Sequence, residues 1–179
     1  MRQHGFSLIE LLMGLAITGI VLQLISPAFA TLIESNRREQ AAQALFSGIR
    51  TARTEAIVRN QAVVIHGING DWSQGWRIIL DISGKGDMDS NNPLLAERQN
   101  GARVPIVGNA PVESFIRFRG QGETLFGGTL HICKVREPVS QHQVVLARTG
   151  RVSLRSDKAE QALCEERKKF RATSERAVL

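Results

Sequence analysis

From Phe6 to Ala30 the chain runs for 25 residues with a single charge, Glu10. As an α-helix rising about 1.5 Å per residue, that run is long enough to cross a bilayer core about 30 Å thick. A secretory signal has a shorter apolar core, its charge placed before that core and a small-residue cleavage site after it. Ala28-Phe29-Ala30 offers such a site, so a cleaved signal stays an alternative on these residues alone. Glu10 argues against it. A carboxylate within an apolar helix costs about 2.5–3.5 kcal/mol, so its presence marks a partner or a function.

After Ile33 the residues turn polar while remaining helix formers, Glu34-Ser35-Asn36-Arg37-Arg38-Glu39-Gln40-Ala41-Ala42-Gln43-Ala44-Leu45. Leu45, Ile49, Ala52 and Ala56 then recur at spacings of four, three and four. That is one narrow stripe of mostly small side chains, suited to lying on a sheet. Arg50, Arg53, Glu55 and Arg59 fall on other faces, and Asn60 reads as the stop. The reading is therefore one helix from Phe6 to about Asn60, with a membrane-spanning half over residues 6–30 and an amphipathic half over 31–60.

Beyond Asn60 the period changes. Short β-rich runs recur between clusters of Gly, Asn, Asp and Pro: Ala62 to His66, Gly75 to Ile82, Arg103 to Val107, Phe115 to Arg119, Thr129 to Lys134, His142 to Arg148 and Arg151 to Leu154. Such spacing predicts antiparallel strands, and seven of them suggest two sheets. The fold class is α+β: a long N-terminal helix packed on an antiparallel β head over residues 61–164. Residues 165–179 form a basic tail of a composition that can remain disordered.

The first residues carry a family resemblance. Gly5-Phe6-Ser7-Leu8-Ile9-Glu10 resembles the type III signal of type IV pilins and type II secretion pseudopilins. The resemblance implies that residues 1–5 are a leader, that a prepilin peptidase cuts between Gly5 and Phe6, and that Phe6 becomes N-methylated. It places Glu10 as the fifth mature residue, paired with the α-amino group of a neighbouring subunit during assembly. The physics agrees, because a carboxylate in hydrocarbon is tolerated once an ammonium meets it. Gly19 and Pro27 also match family positions. A helix-interior proline removes a backbone hydrogen bond, so the segment between them is expected to bend or locally unwind in a filament. A tolerated membrane proline reads equally well from the sequence.

Ala52-Arg53-Thr54-Glu55-Ala56-Ile57, Val63-Val64-Ile65, Gly75-Trp76 and Thr149-Gly150-Arg151-Val152 are similar to the GspH/FimT/FimU branch of pseudopilins and minor pilins. Two cysteines in an exported domain more often bond than stay free. The pair Cys133 and Cys164, flanking Gly150-Arg151-Val152, resembles the FimU-type minor pilins most and is expected to form a disulfide.

Other constellations are weaker. Asp87-Met88-Asp89-Ser90-Asn91 resembles the start of a calcium loop, but Asn92 stands where the turn glycine belongs and Arg98 where the bidentate glutamate belongs. A polar hairpin loop accounts better for it. His131, Cys133 and His142 form an incomplete metal set with no fourth ligand in evidence. No nucleophile–base motif and no phosphate cradle occurs, so the chain reads as a non-enzyme without a cofactor.

The formal charge is +6, from 23 Lys and Arg against 17 Asp and Glu, which favours anionic partners. Arg148, Arg151 and Arg155 concentrate part of it, with Arg151, Ser153 and Arg155 sharing one face of a strand. Some FimT-type members bind DNA through a Gly-Arg-x-Arg pattern here, but this chain has Ser153 in place of the second arginine. A solvated or subunit-facing patch is the leading reading, with DNA contact as the alternative. The functional expectation is a minor pilin that helps initiate a type IV pilus alongside other minor pilins and the major pilin. It would be anchored in the inner membrane with a periplasmic head. A GspH-type pseudopilin of type II secretion is the alternative, and a FimT-type competence pilin the third.

Overall fold

The computed structural model describes residues 8–86, 91–101, 104–135 and 137–165, with the side chains at 22–28 outside that description. Helix α1 spans Leu8–Arg59, 52 residues. It stops where the sequence expects, and the stop is a backbone motif. Asn60 takes the left-handed conformation (φ 49°), its N–H donates to Ile57 O (3.2 Å), and Gln61 N–H donates to Ala56 O (3.2 Å). That pair of bonds satisfies carbonyls otherwise orphaned at a helix end.

Two compact units divide at Arg37/Arg38. In the first, Leu8, Ile9, Leu11, Leu12, Met13, Leu15, Ile17 and Ile20 are all exposed. At 100° per residue these positions fall on every face of the helix. Among the described residues, no helix is long and apolar enough to cross a membrane. The expected span 6–30 also takes in residues 6 and 7, which lie outside the described residues.

In the second unit the expected stripe is buried: Leu45, Ile49, Ala52 and Ala56 are inaccessible to solvent, joined by Ala41, Ala42 and Ala44. Gly48 belongs to the same surface. A Cβ there would stand 2.6 Å from the Trp76 indole, so the missing side chain is what seats the ring.

Among the described residues, nine strands form two antiparallel sheets. The first has the order β3-β2-β1-β5, from β1 (Val63–Ile68), β2 (Asp71–Leu80), β3 (Leu94–Gln99) and β5 (Phe115–Phe118). The second has the order β4-β6-β7-β8, from β4 (Ile106–Gly108), β6 (Gly128–Cys133), β7 (Val139–Leu146) and β8 (Val152–Arg155); β9 (Ala159–Glu160) also pairs with β7. Ser73 links the sheets: its hydroxyl accepts the Ile106 N–H at 2.8 Å. One core draws Leu45 and Ile49 from α1, Ile65, Ile78 and Phe118 from the first sheet, and Ile106, Leu130 and Ile132 from the second.

All seven expected strands exist, with shifted ends, and two more join them. β3 escapes a hydrophobic reading because it is an edge strand, mostly exposed, ending in Glu97-Arg98-Gln99. Its register is carried by pairing with β2, including an Arg77–Glu97 ion pair at 2.7 Å. β9 is too short to show any period.

Candidate functional site

The assembly segment suggested by the sequence lies at the start of α1. Gly5 and Phe6 lie outside the described residues, so the cleavage expected between them is not displayed. Glu10 is exposed in the first helical turn. The helix runs unbroken through Gly19 and Pro27, and nothing approaches within 4 Å of a Cβ built on Gly19. Thr18 Oγ1 donates to Gly14 O at 2.7 Å.

A second construction is found only in the structure. The backbone makes the same loop twice. At Arg119, the N–H donates to Glu123 O (2.9 Å) while Gly122 N–H donates to Arg119 O (2.7 Å). At Ala147, the N–H donates to Arg151 O (2.9 Å) while Gly150 N–H donates to Ala147 O (2.9 Å). Each is a three-residue hairpin loop closed by a left-handed glycine, Gly122 (φ 77°) and Gly150 (φ 76°). The two loops touch, since the Gly122 carbonyl fills the space a Cβ on Gly150 would need. Arg53 of α1 holds both, donating from Nε to Gly122 O (3.0 Å) and from Nη2 to Thr149 O (3.4 Å). Thr124 N–H adds a bond to Arg148 O at 2.9 Å. The sequence placed Arg53 on a polar helix face within the Ala52–Ile57 segment of the family resemblance; its role as a clamp has no local signature.

This junction presents the basic residues. Arg148 sits in the second loop, Arg151 follows it, and Arg155 ends β8; all three are exposed. Arg151, Ser153 and Arg155 share the solvent face, while Val152 and Leu154 turn to the core. None of the three arginines is in an ion pair among the described residues.

Cys133 and Cys164 form a disulfide, with Cα atoms 5.7 Å apart. It fastens the segment after β8 to the end of β6, where Gln161 N–H also donates to Pro138 O (3.0 Å). The bond consumes the sulfur of the His131–Cys133–His142 set. Among the described residues, no group of His, Cys, Asp and Glu is arranged to hold a metal. His131 Nε2 lies 3.1 Å from Gln161 Nε2, while its Nδ1 is buried without a hydrogen-bond partner among the described residues. Burial holds its pKa below the usual 6.5. His142 is lowered chiefly by burial, with Glu39 opposing and Arg38 adding to the shift.

The acidic loop after β2 is tied by its inner residues. Buried Asp81 accepts Gly86 N–H through Oδ1 (2.9 Å), and Asn92 binds Gly86 O (2.8 Å) and Ile82 N–H (3.1 Å). Arg117 Nη2 forms an ion pair with Asp81 Oδ2 at 2.8 Å. Residues 87–90, on which the calcium resemblance rests, lie outside the described residues.

The family described as type II transport protein GspH matches residues 41–150, and the prokaryotic N-terminal methylation motif matches residues 1–22. Two crystal structures of the type IV minor pilin FimU from Pseudomonas aeruginosa PAO1 share the fold, each at 22% identity. In space group P21 the TM-score is 0.58, covering 74% of this chain and 98% of that one. In P65 it is 0.56, covering 70% and 98%. No curated protein sequence matches the chain.

Proposed function

The chain belongs to the family of the type II transport protein GspH, and from that membership we propose that it is a minor pilin that helps to initiate a type IV pilus. It is a structural protein, not an enzyme. The observation that carries the reading is the start of α1. A helix with apolar side chains exposed on every face and a glutamate in its first turn coincides with an N-terminal methylation motif. A helix apolar all round is stable only when lipid or partner helices cover it. In this reading the inner membrane holds α1 before assembly, and other pilins hold it afterwards, with the head in the periplasm. Prepilin peptidase removes residues 1–5 and exposes the amino group of Phe6. Glu10 then selects the docking position by meeting the amino group of a neighbouring subunit, an ion pair strengthened by the surrounding apolar medium.

The test is Glu10→Gln, which keeps size and removes charge. Membrane insertion should survive, while incorporation into sheared filaments falls. Filaments that take up the variant at the wild-type level would refute the pairing.

The matching family's description favours a second reading, a pseudopilin of a type II secretion system. Deleting the gene in its host separates the two. Loss of surface pili with normal secretion supports the minor pilin; loss of secretion with normal pili supports the pseudopilin.

A further inference from the structure

β8 is the terminal strand of its sheet, hydrogen-bonded to β7 alone among the described residues. The register fixes which backbone groups that leaves open. Ala147 and Arg151 stand opposite one another and share the Ala147 N–H to Arg151 O bond, so they form a hydrogen-bonded pair. Alternation along an antiparallel ladder makes Val145–Ser153 and Gln143–Arg155 the next such pairs. The N–H and C=O groups of Val152 and Leu154 therefore point to the open edge.

The side chains along that edge are sorted by charge. Arg151 and Arg155 stand on the solvent face, with Ser153 between them and Arg148 in the adjoining loop, and the strand carries no acid. Charged residues on an edge strand guard against indiscriminate pairing. The same charges admit one class of partner. We propose that the open edge of β8 takes, as an added strand, an extended segment of a partner protein whose alternate residues are acidic. Main-chain bonds from Val152 and Leu154 would hold the segment, and its carboxylates would lie beside Arg151 and Arg155.

Charge excludes two other occupants. A second copy of β8 brought edge to edge would set Arg151 and Arg155 against arginines, which destabilises cross-strand pairing. The chain's own tail carries Arg167, Lys168, Lys169, Arg171 and Arg176 against Glu165, Glu166 and Glu175, so it is net basic and has no alternating acids to set beside this face. Asp157 and Glu160 lie beyond the end of β8 and leave the strand itself basic.

The proposal names a partner chemistry and does not depend on how α1 assembles, so it is tested apart from Glu10. The full chain in detergent micelles is titrated by calorimetry with a synthetic peptide of about eight residues alternating glutamate and valine. Saturable binding is expected. The same peptide N-methylated at alternate amides should not bind, since it cannot add to a ladder. Against Arg151→Glu/Arg155→Glu the acidic peptide should bind about tenfold more weakly or worse. A lysine–valine peptide should bind that variant better than it binds wild type. No binding of the acidic peptide, equal binding of its N-methylated form, or binding of a DNA oligonucleotide in its place would each overturn the proposal. A normal result for Glu10→Gln filaments would leave this one untouched.

Discussion

Gly122 and Gly150 close two hairpin loops of the same form, and the carbonyl of the first occupies the place of a side chain on the second. Both loops are held by a single helix residue, Arg53. Two hairpins from different parts of the chain are thereby fixed to α1 at one point.

Gly150→Ala should therefore destabilise the head twice over. A left-handed conformation costs a non-glycine residue about 1–2 kcal/mol, and forcing a methyl against a backbone carbonyl costs about 1–3 kcal/mol more. Urea denaturation followed by circular dichroism should show a lower midpoint. Arg53→Ala should lose about 1–3 kcal/mol through its two carbonyl acceptors. The double variant should lose less than the sum, because both changes loosen the same contact. Strict additivity would mean that the loops are not coupled through Arg53.

The second prediction concerns processing. Protein recovered from its native host should begin at Phe6 with an N-methylated amino group. Intact mass measurement decides, and a mature chain starting at Met1 or Thr31 would exclude the pilin reading.

Reducing the Cys133–Cys164 bond opens a loop with a sequence separation of 31. Chain entropy assigns such a crosslink roughly 3–4 kcal/mol. Dithiothreitol should lower the melting temperature of wild type, and Cys133→Ser/Cys164→Ser should show the lower value with or without it. Non-reducing peptide mapping should recover one crosslinked pair.

His131 makes stability depend on pH. Burial lowers its folded-state pKa below 6.5, so in the acid range the unfolded chain binds its proton more readily than the folded chain. The stability that the neutral ring allows is complete above about pH 6.5. It declines as pH falls through that value toward the lowered folded pKa. Melting temperature should drop between pH 7 and pH 5, and His131→Gln should flatten that drop. His142, lowered mainly by burial, should leave a slope of the same sign in that variant. An unchanged slope in His131→Gln would show that the ring titrates alike in both states.

Much of this architecture is legible along the chain. Leu45, Ile49, Ala52 and Ala56 announce a helix face by spacing, and all four are buried. Arg151 and Arg155 announce a shared strand face by alternation, and both are exposed, Arg151 just before β8 and Arg155 at its end. What escapes is whatever depends on a partner far away in sequence. β3 takes its strand identity from pairing with β2, and so shows little apolar alternation of its own. Arg53 reads as one surface charge among several, because its acceptors lie 69 and 96 residues further on. Gly150 belongs to a recognisable motif, but its collision with Gly122 is a fact of tertiary structure alone.

The bare backbone at Gly48, lying under the Trp76 indole, gives the molecule its own optical gauge. Trp72 is sealed in the core with its indole N–H bonded to Glu113 O at 2.8 Å, whereas the buried Trp76 N–H has no acceptor among the described residues. Lifting the helix off the sheet would admit water to Trp76 first. Its emission would shift to the red while Trp72 stayed blue, so intrinsic fluorescence can distinguish an undocked helix from an unfolded head without a label.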